Sequence, residues 1–102
     1  MGVYSRQAES CNIHLDSAIA KLESVKANQE AAVSRLGDNQ DVVAEGVKKS
    51  CKPISGKIDT AISAISNLKS SISAKAAELD AALEEEERRR REEANNNWYD
   101  RG

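Results

Sequence analysis

The residues of this chain whose types could ligate a metal or cross-link are Cys11, His14 and Cys51. Cys11 and His14 stand three apart, which puts them on one side of a helix as half of a tetrahedral zinc site. The other half is missing, because the chain has one histidine and its second thiol is forty residues away. A zinc would therefore need ligands from another subunit, and the two thiols read more simply as small apolar side chains. No glycine-rich phosphate loop, nucleophile–base set or acidic metal cluster accompanies them, so neither an enzyme nor a bound cofactor is expected.

Charge supplies the next candidate. Residues 84–93 read EEEERRRREE. Glu84 with Arg88, Glu85 with Arg89, Glu86 with Arg90 and Glu87 with Arg91 are i,i+4 pairs in the favourable acid-first order, and Arg88 with Glu92 and Arg89 with Glu93 continue them. Such pairs contribute only about 0.2–0.5 kcal/mol each, but together they support a solvated helix that has no core. The block reads as a stiff helix rather than an arginine-rich binding patch. The net charge of -2 and pI near 5.4 likewise disfavour a polyanion partner such as nucleic acid.

The elements that carry these residues follow from spacing. With 39% hydrophobic residues, 3% aromatics and no Phe in 102 residues, the composition is that of long helices, too lean for a thick core. From Tyr4, a four-three series runs through Ala8, Cys11, Leu15, Ala18, Leu22, Val25, Gln29, Ala32 and Leu36. Gly37-Asp38-Asn39-Gln40 then reads as a turn, with Gly37 ending the first helix and Asp38, Asn39 or Asp41 capping the next. A second series runs Val43, Val47, Ser50, Ile54, Ile58, Ala61, Ile65, Leu68, Ile72, Lys75, Leu79 and Ala82, interrupted at Pro53. Pro53 either kinks one helix or starts a new one after a short helix over 41–51, and the uninterrupted stripe favours the kink.

The expected fold is all-α: an antiparallel two-helix hairpin, coiled-coil-like, with helix 1 over about 5–36, a turn at 37–40 and helix 2 over about 41–94. Residues 95–102, from Asn95-Asn96-Asn97 through WYDRG, read as a flexible polar tail. With the bend centred near residues 38 and 39, Tyr4 would lie opposite residue 73. Ala76, Ala77, Leu79, Ala81, Ala82 and Leu83 would then form an uncovered apolar strip. Cys51 would face Lys26, far from Cys11, which predicts free thiols.

Partner-binding residues are expected at Ile62, Ile65, Leu68, Ile72, Leu79 and Leu83, with Trp98 and Tyr99 as an aromatic anchor in the tail. The partner is a helical protein or a second copy of the chain. No stretch is apolar enough to span a membrane, and MGVYSRQAESCN lacks the core of a signal peptide, so a cytoplasmic protein is expected.

This layout, with a first helix starting near the initiator Met, a tight polar turn at Leu36-Gly37-Asp38-Asn39 and a longer second helix, resembles the WXG-type small helical proteins of type VII secretion. It is most similar to the small α-helical partners of LXG-domain toxins. The resemblance implies a non-enzymatic targeting factor or chaperone that packs against a toxin's N-terminal helices and could be secreted with it. The W-x-G turn is absent, and no aromatic is followed four residues later by an acid, so the resemblance implies the toxin's partner rather than the subunit that bears an export signal. The alternative is a structural, self-assembling coiled coil, a homodimer or four-helix bundle.

Overall fold

The structure, a computed structural model, describes residues 2–37 and 40–101, except the side chains of residues 97–101. Two helices account for nearly all of it: α1, Val3–Leu36, and α2, Val42–Arg101. They pack antiparallel as a single hairpin. At 1.5 Å per residue, the 60 residues of α2 span about 90 Å, which matches the 93 Å long axis of the molecule.

The bend is built as its residue types require. Gly37 adopts a positive φ of 56° and returns its N–H to the carbonyl of Ser34 at 3.0 Å, closing α1. Of the three candidate caps, Asp41 fills the role: its Oδ1 accepts the Ala44 N–H at 2.7 Å. Asp38 and Asn39 lie outside the described residues.

α2 runs unbroken through Pro53, so a separate short helix over 41–51 does not form. The proline costs the carbonyl of Lys49 its helical donor. Pro53 and Lys49 are both exposed. At the far end the helix continues past Asn95 to Arg101, where the sequence suggested a loose tail. The side chains of Trp98 and Tyr99 lie outside the described residues.

The surfaces that meet differ from those the apolar spacing suggested. In α1 the covered positions are Ser5, Ala8, Asn12, Leu15, Ile19, Leu22, Lys26, Gln29, Val33 and Leu36, with Ala18 half-buried beside them. In α2 they are Ala44, Lys48, Cys51, Ser55, Ile58, Ile62, Ile65, Lys69, Ile72, Ala76 and Asp80, with Ala61 beside them. Each set keeps the three-four step of a coiled-coil seam, yet polar residues occupy much of both. The four-three series read from the sequence shares only every second position of α1 with this seam. Its other members, Tyr4, Cys11, Ala18, Val25 and Ala32, each precede a seam residue and lie on its flank.

The register also differs. Ser5 meets Asp80, Asn12 meets Ser73, Asp16 meets Lys69 and Lys26 meets Asp59. Each pair is centred between Val42 and Val43, about one helical turn beyond the expected bend at Asp38–Asn39. The cause is that α2 starts only at Val42: Val42 and Val43 project past the end of α1, 89% and 75% exposed, and pairing begins at Ala44. As a result α1 reaches Asp80, and Ala76, expected in the uncovered strip, is buried.

Candidate functional site

An antiparallel pair of heptad helices has two sides, because flanks of the same kind meet on each. On one side the seam is bordered by Glu9, Asp16, Glu23 and Glu30 of α1 and by Glu45, Lys52, Asp59, Ser66, Ser73 and Asp80 of α2. The polar side-chain bonds between the helices gather here. Lys26 Nζ lies 2.7 Å from Asp59 Oδ1, Lys69 pairs with Asp16, and Asn12 Nδ2 donates to Ser73 Oγ at 2.9 Å. Hydrogen bonding from Lys26 to Asp59 raises the ammonium pKa above its ordinary value, against a smaller opposing effect of desolvation. An open polar groove runs along this side between Glu9, Asn12, Asp16, Ser66, Lys69 and Ser73.

At the open end of the hairpin, Asp80 reaches across to the first turn of α1. Its Oδ1 accepts the Tyr4 N–H at 3.0 Å, and its Oδ2 accepts the Ser5 N–H at 2.9 Å and the Ser5 hydroxyl at 2.6 Å. The cap residue of α1, Gly2, has no side chain to do this itself. An α2 carboxylate therefore caps α1, satisfying N–H groups that a helix start leaves unpaired. The Ser5 hydroxyl bond, helped by the two N–H groups, holds the Asp80 carboxyl below its ordinary pKa. A Cβ on Gly2 would fall on the Asp80 carboxylate, so a side chain there would push that carboxylate aside.

The other side is apolar. It carries Tyr4, Cys11, Ala18, Val25 and Ala32 of α1 beside Val47, Ile54, Ala61 and Leu68 of α2. Val25 is 53% exposed, Leu68 49% and Ile54 46%. Near the open end a shallow groove on this side is lined by Tyr4, Ala8, Cys11, Ile72, Ala76 and Leu79.

The sequence-derived binding residues divide accordingly. Ile62, Ile65 and Ile72 are half-buried in the hairpin's own seam, whereas Leu68, Leu79 and Leu83 are exposed. Tyr4, Val25, Val47 and Ile54 belong to the same open face, although their spacing alone places them between the two helices. Their signal was present in the series itself, which follows the most apolar stripe, and a seam tolerant of Ser, Asn and Lys hid which stripe was inward.

Cys11 and Cys51 are free thiols. Cys11 lies in the apolar groove, and Cys51 lies near the bend, where its carbonyl accepts Gln29 Nε2 at 3.0 Å. Among the described residues no group of three His, Cys, Asp or Glu could hold a metal ion. No helix searched there is long and apolar enough to cross a membrane. In the charge block, Arg88 bonds Glu85 and Glu92, Arg90 bonds Glu86 at 2.7 Å, and Arg91 donates to the Glu87 carbonyl. Arg88 thus takes Glu85, three residues back, instead of Glu84. Comparison with protein-family models, curated proteins and solved structures finds no match to this chain.

Proposed function

We propose that this chain is a non-enzymatic helical binding protein whose open apolar face packs lengthwise against helices of another protein. The observation that carries this reading is the mismatch between the hairpin's two surfaces: Ser5, Asn12, Lys26, Gln29, Lys48, Ser55, Lys69 and Asp80 take up positions in its seam, while Val25, Ile54 and Leu68 stand outside it. Among the described residues the buried side chains are Ala8, Ala44, Ile58 and Ala76, so the hairpin encloses almost no core. It exposes 8001 Å², against about 5,700 Å² for a globular protein of its 11.1 kDa. A helix seated on the apolar face would provide the missing core, and a standard interface covers about 800 Å² on each partner.

The resemblance to WXG-type proteins gives this occupant a name: the N-terminal helices of an LXG-type toxin, held by the chain as targeting factor or chaperone in the cytoplasm before export. Co-expression of the chain with such a region tests it. Wild type and a polar-side control, Ser66→Asp, are expected to co-purify with the toxin helices equally well, and the pair Val25→Asp with Leu68→Asp is expected to lose them. Equal recovery by all three would refute the docking face. If the chain instead forms a defined homo-oligomer that ignores the toxin helices, the face closes on a second copy and the chain is a self-assembling coiled coil.

A further inference from the structure

The rims of the apolar face specify its occupant further. Outward from the apolar flank of α1 the next row is Gln7, His14, Lys21, Asn28 and Arg35; outward from that of α2 it is Ser50, Lys57, Ala64, Ser71 and Glu78. All of these are exposed. Along the flanks and their rims the one carboxylate is Glu78, near the open end, against the cations Lys21, Arg35, Lys57 and Lys75. The other carboxylates of the paired region collect on the opposite side, at Glu9, Asp16, Glu23, Glu30, Glu45, Asp59 and Asp80. Lys75 has Glu78 as a neighbour at 3.7 Å, whereas Lys21, Arg35 and Lys57 form no ion pair among the described residues. Lys21 and Lys57 flank the middle of the face from opposite rims, near the level marked by Lys26 and Asp59.

We infer that the occupant is a long amphipathic helix of another protein whose apolar stripe is edged with Asp and Glu. This inference rests on the docking reading above and adds the chemistry of the partner. A carboxylate-edged helix would place its acids beside Lys21 and Lys57 while its apolar residues cover Val25, Ala61 and Leu68. Complementary rims of this kind set orientation and suppress wrong partners more than they add affinity. A second copy seated face to face would bring Lys21, Arg35 and Lys57 of both chains to one groove where the one rim acid, Glu78, already neighbours Lys75, and like charges across an interface repel.

The test uses two synthetic helices with the same Leu and Ile stripe, one edged with Glu and the other with Lys, titrated against the full chain by fluorescence anisotropy. The Glu-edged helix is expected to bind about tenfold tighter, the sum of a few rim pairs. Raising salt should shrink that ratio toward one, because exposed charges are screened. K21E with K57E, checked for unchanged helicity, should reverse the preference. Equal binding of the two helices, or a ratio unmoved by K21E with K57E, overturns the charge selection and leaves the docking face standing. Binding of neither helix overturns both readings. A tight homodimer that excludes both helices makes a second copy the occupant and overturns the inference.

Discussion

At the scale of single residues, the hairpin is closed by a few polar side chains with definite partners. Asp80 is the clearest, since it holds the first turn of α1 through three hydrogen bonds. Asp80→Asn retains the size but weakens the acceptors, and it is expected to speed amide exchange at Tyr4 and Ser5 while leaving the bend near Asp41 unaffected. The pH dependence has a fixed sign. Because the folded-state pKa is depressed, the contribution of Asp80 is present above the ordinary carboxylate pKa and fades as pH falls through the folded value. Exchange at Tyr4, taken relative to the unprotected amide rate at each pH, should speed up down that acid limb in the wild type and stay flat in Asp80→Asn. Gly2→Leu would displace the same carboxylate and should reproduce the effect at neutral pH.

Asn12 Oδ1 and Gln29 Oε1 are buried without a hydrogen-bond partner among the described residues. A buried unsatisfied acceptor costs about 1–3 kcal/mol, whereas the bond from Gln29 to the Cys51 carbonyl returns about 1 kcal/mol. Gln29→Leu is therefore expected to raise the thermal midpoint by a few degrees, read by circular dichroism. A lower midpoint would mean that the Cys51 carbonyl depends on Gln29 more than the orphaned oxygen costs.

At the scale of elements, both helices, the closing Gly37 and an Asp cap were legible, because glycine geometry, capping and heptad spacing act locally. The register was not. It depends on where α2 begins, and pairing starts only at Ala44. Nor could spacing identify the inward stripe. In α1 two neighbouring stripes share Ala8, Leu15, Leu22 and Leu36, and the choice between Val25 and Lys26 goes to lysine because Asp59 waits across the groove. Tertiary pairing here overrides hydropathy. In the exposed part of α2, Gly46 and Gly56 have no atom near where a Cβ would lie, so substituting Ala should raise stability by about 0.5–1 kcal/mol each. A denaturant midpoint that fails to rise would show that these glycines serve something besides the helix.

At the scale of the whole molecule, the hairpin is long, thin and two-sided. Its radius of gyration is 25.4 Å, about twice that of a globular chain of this length. Polar bonds fix register on one side, and apolar residues stand exposed on the other. α2 runs beyond the start of α1 as a solvated helix held by Arg88 and Arg90 with their glutamates. Surface pairs of this kind contribute little to stability and are weakened by salt. The isolated chain is therefore expected to unfold at low denaturant and to gain stability when its apolar face is covered.

We propose that the side bearing Tyr4, Cys11, Val25 and Leu68 is the covered side in the working complex. Cys11 reports on it directly, since its thiol lies in the groove with Tyr4 and Leu79. In a Cys51→Ser background, the maleimide labelling rate of Cys11 would be measured in the free chain and in the chain bound to toxin helices. A thiol introduced by Ser66→Cys serves as the polar-side control. At least about tenfold protection of Cys11, with the control thiol unchanged, is the expected result. An unprotected Cys11, or protection of the control thiol instead, would contradict the account.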